Sequence, residues 1–337
     1  MLSLPLMKKE KAKQFDVLII GAGPIGIASA LQCAQRGLTY VVLEKGTLTN
    51  SLYNYPLNMR FFSTSEKLEI NDIPFISSNP KPNRDEALEY YRRVASSNDL
   101  NIRLYEKVQR VEKKDAGFKV VSDKASYDVL KVIVSTGFYD IPKMLDVPGE
   151  SLPKVTHYFK EAHPYAMQKT VVVGASNSAV DAALEIWRKG GDVTMVIRGP
   201  QIGERVKYWV RPDIENRIKE GSIKTIFNAE ITEIRENEID LRTPDGPETI
   251  ENDFVIALTG YRPNFKFLES LGIELAKDGT YLPSYDETTM ESNVKGIYLA
   301  GVICGGTETH KWFIENSRIH AEIITRHIAE TINTRQT

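Results

Sequence analysis

Two glycine-rich turns constrain the fold of this 337-residue chain more than any other feature. The first, GAGPIG at residues 21–26, follows the β-branched run FDVLII and opens a helix-like segment. The second, GASNSA at residues 174–179, follows KTVVV and begins 153 residues after the first. A glycine turn between a strand and a helix is typical of dinucleotide-binding βαβ units. The sequence therefore predicts two such units in one chain.

The rest of the chain has the alternation of strands and helices that an α/β fold requires. Because the run GIYLAG near the C-terminus again reads as a buried strand, we expect the second unit to be inserted into the first. The predicted fold has two Rossmann-like domains, with residues 1–141 and 260–337 binding FAD and residues 142–259 binding NADPH. Strand-like runs occur at FDVLII, TYVVLE, LKVIVS, KTVVVG, DVTMVI, NDFVIAL and GIYLAG, and helix-like segments at 24–37, 83–99, 178–190 and 311–332.

The first turn has the residues that a bound pyrophosphate needs. Gly21 permits the tight turn, Gly23 lets the backbone approach the phosphates, and Gly26 allows close packing of helix on strand. Glu44 ends the run TYVVLE, 23 residues after Gly21, where a carboxylate can bind a ribose diol. This turn is expected to bind the adenosine diphosphate moiety of FAD.

The second turn is altered but still small, with Ser176 and Ala179 in place of the second and third glycines. Arg198 lies 24 residues after Gly174, at the position that corresponds to Glu44 in the first unit. Guanidinium can pair with a ribose 2′-phosphate, which a carboxylate would repel, so this site is expected to prefer NADPH to NADH. The alternative is a solvated arginine at the end of a strand. Two such sites predict a flavoprotein that holds FAD and exchanges a hydride with NADPH.

Composition excludes several other classes. The net charge of −2 gives no reason to expect a nucleic acid or an anionic membrane as partner. No apolar run approaches the ~20 residues needed to cross a bilayer, and the start MLSLPLMKKEKAKQ reverses the order of a signal peptide, so the expected location is cytoplasmic. The only cysteines are Cys33 and Cys304, which form neither a CxxC pair nor a cluster with metal spacing.

Longer segments carry a resemblance to known flavoproteins. STGFYDIP (135–142) and ALTGYRPN (257–264) resemble the two crossings of the thioredoxin-reductase-like superfamily, although the CxxC of thioredoxin reductases and the CxxxxC of glutathione-reductase-type enzymes are both missing. NSLYNYP, FFSTSEKLEI, HYFKEAHPY, KYWVRPDIENRIKEGSI and AGVICGG resemble the YpdA-type family of bacillithiol disulfide reductases. Members of that family commonly have a cysteine in the first turn, as GPCG, where this chain has Ile25. They also have a small residue where this chain has Cys304.

The resemblance and the two turns together imply the residues that contact each cofactor. For FAD they are Gly21, Gly23, Pro24, Ile25, Gly26, Glu44, Lys45, Asn50, Tyr53, Ser63, Val108, Thr136, Gly137, Gly301 and Val302. For NADPH they are Gly174, Ser176, Asn177, Ser178, Arg198, Lys207 and Gly260. For Asn50, Tyr53 and Ser63 the alternative is loop capping, and for Lys207 it is a surface charge.

Cys304 is the candidate redox thiol, because it lies three residues beyond Gly301 in the turn expected near the flavin. The alternative, a buried packing residue, is the common state of a free cysteine. Among the histidines, His157, His163 and His310 are candidate proton donors near the cofactors. His320 and His327 on the C-terminal helix are expected to be structural.

The resemblance implies an NADPH-dependent FAD oxidoreductase that reduces a low-molecular-weight disulfide such as bacillithiol disulfide. A ferredoxin or flavodoxin–NADP reductase of thioredoxin-reductase type, which also lacks CxxC, is the first alternative. A flavin monooxygenase ranks lower, since FKEAHPY does not fit the FxGxxxH fingerprint, and a non-catalytic NADPH redox sensor is the alternative from another class. The expected partner is a small disulfide or other electron acceptor, and the oligomeric state stays open.

Overall fold

The computed structural model describes residues 13–333, without the side chain of residue 333. The expectation that the chain lacks a signal peptide concerns a segment that lies mostly outside these residues. The helices are α1 (Pro24–Gln35), α2 (Asn50–Tyr53), α3 (Ser65–Leu68), α4 (Arg84–Ser97), α5 (Asn177–Arg188), α6 (Arg211–Lys219), α7 (Phe265–Ser270), α8 (Ile314–Ser317) and α9 (Ile319–Asn333). The strands are β1 (Lys13–Ile20), β2 (Tyr40–Leu43), β3 (Ile102–Arg103), β4 (Val108–Lys113), β5 (Phe118–Ser122), β6 (Ser126–Val134), β7 (Ile141–Pro142), β8 (Val155–Thr156), β9 (Lys169–Val173), β10 (Asp192–Ile197), β11 (Lys224–Phe227), β12 (Glu230–Ile234), β13 (Glu238–Thr243), β14 (Gly246–Glu251), β15 (Phe254–Ala257), β16 (Tyr261–Arg262) and β17 (Ile297–Leu299).

The first sheet is built from both ends of the chain. Its order is β3-β2-β1-β6-β5-β4, with β17 also paired to β6. The pairs β3–β2, β2–β1, β1–β6 and β6–β17 are parallel, and β4, β5 and β6 form an antiparallel meander. The strand β6 can take both kinds of partner because β5 pairs with its first half and β17 with its last three residues.

The second sheet has the order β11-β10-β9-β15-β8, and all of its strands are parallel. Its central strands read KTVVV, DVTMVI and FVIA, which are β-branched or apolar runs of the kind found in strands covered on both faces. A separate antiparallel sheet, β12-β13-β14, lies between β11 and β15 in sequence. The strands of both sheets fall between residues 155 and 257.

The two crossings of the chain lie side by side. Strand β7 pairs antiparallel with β16, so that Pro142 is opposite Tyr261 and Ile141 is opposite Arg262. The Lys143 amide also donates a hydrogen bond to the Gly260 carbonyl, at 2.9 Å. The chain therefore leaves the first sheet and returns to it through one two-stranded ribbon.

The apolar cores follow the same division. One pair of clusters contains residues from 17 to 134 and from 265 to 332, and another pair contains residues from 159 to 258. No buried residue of the first pair belongs to the second. The first sheet therefore has its own core, and the second sheet shares another with the antiparallel sheet β12-β13-β14. A separate core is the expected state of a domain that could fold alone.

These features confirm the α/β class. All seven strand-like runs form strands, whereas the helix expected over 311–332 is divided into α8 and α9 at Arg318. The division into domains at residues 141 and 260 stays a prediction. Within residues 13–333, no helix is long and apolar enough to cross a membrane, and no group of three His, Cys, Asp or Glu side chains is placed to hold a metal ion.

Candidate cofactor and acceptor site

The first glycine turn is packed against β6 on one side and open on the other. A Cβ at Gly21, whose φ is +104°, would lie 2.7 Å from the Ser135 carbonyl oxygen, and one at Gly26 would lie 1.9 Å from the Gly21 oxygen. A Cβ at Gly23 would meet no atom within 4 Å. Gly21 and Gly26 are thus required by the packing, whereas Gly23 leaves room for a ligand.

The helix that begins at this turn offers free hydrogen-bond donors. Gly23 is the N-cap of α1, and no side chain caps the first-turn amides of this 12-residue helix. Unpaired amides at a helix N-terminus, with the positive end of the helix dipole, form a binding site for phosphate. The open surface at Gly23 and these amides together fit a pyrophosphate.

Glu44 is held beside the turn at the end of β2. Its Oε2 accepts a hydrogen bond from the Ala22 amide and its Oε1 one from the Gly46 amide, both at 2.9 Å. Burial raises the pKa of the Glu44 carboxyl, and the two amide donors oppose this rise. Each carboxylate oxygen keeps a second lone pair, so Glu44 can still accept hydrogen bonds from a ribose diol.

The second turn has the same construction with different residues. A Cβ at Gly174 would lie 2.6 Å from the Leu258 carbonyl oxygen, and Ala179 is fully buried beneath it. Ser176 is the N-cap of α5, whose first-turn amides again lack a side-chain cap. The second turn therefore also leaves a helix N-terminus available for phosphate.

Arg198 and Lys207 differ in how freely they could meet an anion. Arg198 directly follows β10 and is exposed, and no hydrogen bond or ion pair engages its guanidinium within residues 13–333. Lys207 is only 9% exposed, and its ammonium is paired with the Asp181 carboxylate at 2.8 Å. Its backbone amide donates to the Asn177 side chain. Arg198 is therefore free to bind a phosphate, whereas the charge of Lys207 is already neutralised and Lys207 is no surface charge.

Both turns open into one cavity of about 2200 Å³. This volume exceeds the ~300–1000 Å³ of an ordinary ligand pocket, and it is large enough for two dinucleotides. The crossing residues Thr136, Gly137 and Gly260 and the C-terminal residues Gly301 and Val302 form further walls. The other expected cofactor residues that line it are Gly21, Gly23, Pro24, Ile25, Glu44, Lys45, Asn50, Ser63, Val108, Gly174, Ser176, Asn177, Ser178, Arg198 and Lys207.

Of the expected cofactor residues and the candidate thiol, three do not line the cavity: Gly26, Tyr53 and Cys304. Of the candidate proton donors, His310 lines it, whereas His157 and His163 do not. Gly26 lies beneath the first turn, as its packing role requires. Tyr53 is 50% exposed, and its ring lies 5.5 Å from the Arg84 guanidinium carbon. The candidate thiol of Cys304 is fully buried, and burial raises its pKa well above the usual value. A buried, protonated thiol is a poor nucleophile.

The other cysteine, Cys33, is also buried and does not line the cavity. Cys33 lies in α1 with no exposed surface, and burial raises its pKa to about 12. Ile25, at the position of the family cysteine, does line the cavity and reaches toward Gly301, where a Cβ would lie 3.3 Å from its Cγ1. Since the sequence has two cysteines, both within the described residues, the cavity wall contains no thiol.

The structure also forms contacts at the cavity that no local sequence pattern indicates. Tyr55, Tyr139 and Tyr261 line the cavity where the chain crosses between the sheets, and the Tyr139 ring lies 4.6 Å from Tyr55 and 4.3 Å from Tyr261. On another wall, the Ser63 hydroxyl donates to the Glu315 carboxylate at 2.6 Å. These partners are up to 252 residues apart in sequence, so no local pattern could have paired them.

Comparison with known proteins gives the class. The profile of the pyridine nucleotide-disulphide oxidoreductase family matches residues 18–301, and the chain belongs to this family. The protein is therefore an oxidoreductase, and its family implies a flavin and a nicotinamide cofactor.

The relatives narrow the class. The bacilliredoxin reductase Bdr of Bacillus subtilis (strain 168) is 44% identical over 322 residues, which are 95% of this chain and 99% of the relative. The bacillithiol disulfide reductase Bdr (YpdA) from Bacillus cereus aligns with a TM-score of 0.92 and 41% identity over 95% of this chain and 100% of that one. Its counterpart from Staphylococcus aureus has a TM-score of 0.92 and 37% identity, over 96% and 100%. The resemblance to the YpdA-type family is confirmed.

Proposed function

We propose that this protein takes a hydride from NADPH and reduces a low-molecular-weight disulfide through FAD, without using a thiol of its own. The observation that carries the proposal is the single cavity, which joins both glycine turns and has no cysteine in its wall. Residues 13–141 with 260–333 would hold FAD, and residues 142–259 would hold NADPH. The separate apolar cores support this division.

The choice of FAD over smaller flavins rests on the first turn. The amides at the start of α1 and the open surface at Gly23 would receive the pyrophosphate, and Glu44 would bind the ribose next to it. FMN lacks that second half, so it would leave both features unused. A bound flavin supplies the redox chemistry, since it accepts a hydride and passes the electron pair to an acceptor.

The choice of NADPH over NADH rests on Arg198. Its guanidinium is exposed, unpaired among the described residues and part of the cavity wall. It is placed after β10 as Glu44 is placed after β2. A cation at that position favours a 2′-phosphate, and a carboxylate there favours a free 2′-hydroxyl.

The disulfide as acceptor is supported by the names of the relatives, which are bacilliredoxin reductase and bacillithiol disulfide reductase. In the balanced reaction, one NADPH and one proton break one S–S bond and give two thiols and NADP⁺. Because Cys33 and Cys304 are buried and protonated, no protein thiol would form a mixed disulfide with the substrate. Thioredoxin is for the same reason not expected to be reduced.

An acceptor screen on the purified holoprotein tests this function. NADPH consumption is measured with bacillithiol, coenzyme A and glutathione disulfides, with thioredoxin and with ferredoxin. We expect bacillithiol disulfide or a related small disulfide to raise the rate above the oxidase background. If none of the disulfides does so and ferredoxin does, the protein is instead a ferredoxin–NADP reductase. If no acceptor in the screen raises NADPH consumption above the oxidase background, the proposal is also contradicted.

A further inference from the structure

One buried histidine touches the wall of the cavity from behind. His320 is the second residue of α9, and its side chain is 2% exposed. Its Nδ1 accepts a hydrogen bond from the Gly301 amide at 3.1 Å. Because Gly301 is itself buried, an unpaired amide there would be costly.

Gly301 is held from two sides. Its φ is +84°, a left-handed conformation that favours glycine. Besides the bond to His320, a Cβ at Gly301 would lie 3.3 Å from the Ile25 side chain, which belongs to α1 and to the first glycine turn. The Gly301–Gly305 turn is therefore positioned between the start of α1 and the start of α9.

The surroundings of His320 favour the neutral imidazole that this hydrogen bond requires. The Trp312 ring lies edge-on at 4.6 Å between centroids, and the Cys304 sulfur lies 4.0 Å from Nδ1. Burial among these groups lowers the pKa of His320 to about 4. At neutral pH Nδ1 therefore has its lone pair free to accept, whereas protonation would turn this acceptor into a donor.

We propose that His320 is a positioning residue for the flavin: by accepting the Gly301 amide, it fixes the turn whose Gly301 and Val302 line the cavity. The inference rests on the proposed function, since it assumes that the flavin is bound against this turn. His320 does not line the cavity and acts only through Gly301. The proposal also gives Cys304 a packing role without redox chemistry, since its thiol lies against the imidazole that holds the turn.

Two substitutions separate this role from simple packing. In His320→Asn the side-chain oxygen can take the place of Nδ1 and accept the Gly301 amide, whereas His320→Leu fills the space and accepts nothing. Flavin release is measured by diluting the holoprotein and following the fluorescence of free flavin, together with the visible spectrum of the bound flavin. We expect the leucine variant to bind the flavin about tenfold more weakly and the asparagine variant to stay within about twofold of the unmodified protein.

His327→Asn is the matched control, because His327 is on the same helix but does not line the cavity. Its Nδ1 forms a hydrogen bond with the Tyr298 hydroxyl, at 3.1 Å. It should leave flavin release unchanged. If the leucine variant does not fold, His320→Gln is used in its place. The glutamine side-chain amide lies at the position of Nε2 rather than Nδ1, so it cannot accept the Gly301 amide as His320 does. Equal retention by the leucine variant, or equal loss in the asparagine variant, would overturn the inference alone. An unmodified protein without flavin would instead overturn the proposed function.

Discussion

At the scale of single residues, the two positions that follow β2 and β10 carry the choice of cofactor. Glu44 is buried, and each of its carboxylate oxygens accepts a backbone amide, so its geometry is fixed before any ligand binds. Arg198 is exposed and has no partner within residues 13–333, so its geometry is fixed only by the ligand. We expect Glu44 to contribute by its fixed position and Arg198 by its charge.

The charge of Arg198 gives a direct prediction. In Arg198→Ala the apparent dissociation constant for NADPH should rise about tenfold, since a lost charge-assisted pair costs ~1.5–3 kcal/mol. The apparent dissociation constant for NADH should change little. Flavin reduction is measured over a range of each nucleotide. Arg188→Ala, which removes an arginine paired with Asp213, is the control. An unmodified protein that uses NADH and NADPH equally well would refute the role of Arg198.

The depressed pKa of His320 predicts a loss of stability in acid. The unfolded chain takes up a proton on this histidine near its ordinary pKa of 6.5, whereas the folded protein resists protonation down to about 4. The contribution of His320 to stability is therefore fully present above pH 6.5 and is lost as the pH falls toward 4. Denaturant unfolding across this range should show a smaller loss in His320→Asn. An identical pH dependence in both proteins would contradict the assignment.

At the scale of elements, the two glycines at the start of α1 have separable roles. A Cβ at Gly26 would lie 1.9 Å from the Gly21 oxygen, whereas one at Gly23 meets nothing within 4 Å. Gly23 also has an ordinary φ of −72°. The fold thus requires a glycine at position 26 but not at position 23, and we expect the ligand to require the glycine at position 23.

A matched pair of variants tests this difference. Gly26→Ala should lower the thermal stability of the protein or prevent its folding. Gly23→Ala should leave the stability of flavin-free protein nearly unchanged and weaken FAD binding, because the methyl group would occupy the space for the pyrophosphate. The measurements are thermal unfolding and flavin content after purification. FAD binding by Gly23→Ala that matches the unmodified protein would contradict a phosphate at this turn.

The elements also show how far the sequence could lead. The strand-turn-helix units and the placement of Glu44 and Arg198 were predictable, because a βαβ unit fixes them within about 25 residues. Contacts between residues that are distant in sequence were not predictable. Lys207 is neutralised by Asp181 on α5, and Ser63 meets Glu315 across 252 residues. The burial of Cys304 depends on the packing of α9, whose His320 Nδ1 lies 4.0 Å from the Cys304 sulfur.

At the scale of the whole molecule, the predicted insertion, residues 142–259, is connected to the rest of the chain through one two-stranded ribbon. The paired strands Ile141–Pro142 and Tyr261–Arg262 bring the two ends of the insertion together. The predicted insertion also contacts the rest of the chain at the Trp209 ring, which lies 4.1 Å from the Lys81 ammonium and 5.5 Å from the Phe62 ring. The two parts are therefore held together by the ribbon, by these aromatic contacts and by hydrogen bonds such as the one that the Leu57 amide donates to the Lys160 carbonyl, at 2.9 Å.

The ribbon makes it possible to remove the insertion. Replacing residues 144–259 with a short glycine-serine linker should leave a protein that folds and holds flavin but that NADPH no longer reduces. The reason is that its apolar core contains no residue of the insertion. Absorbance of the bound flavin before and after NADPH is added gives the result. Rapid reduction by NADPH would show that the nucleotide binds elsewhere.

The central claim is that electrons pass from NADPH to a disulfide in this cavity without a thiol of the protein. The most direct measurement is disulfide-dependent NADPH oxidation, with the released thiols counted, in the variant Cys33→Ala/Cys304→Ala. We expect two thiols per NADPH and most of the activity of the unmodified protein, because both cysteines are buried outside the cavity wall. A folded, flavin-loaded double variant that has lost disulfide reduction, while NADPH still reduces its flavin, would contradict the claim.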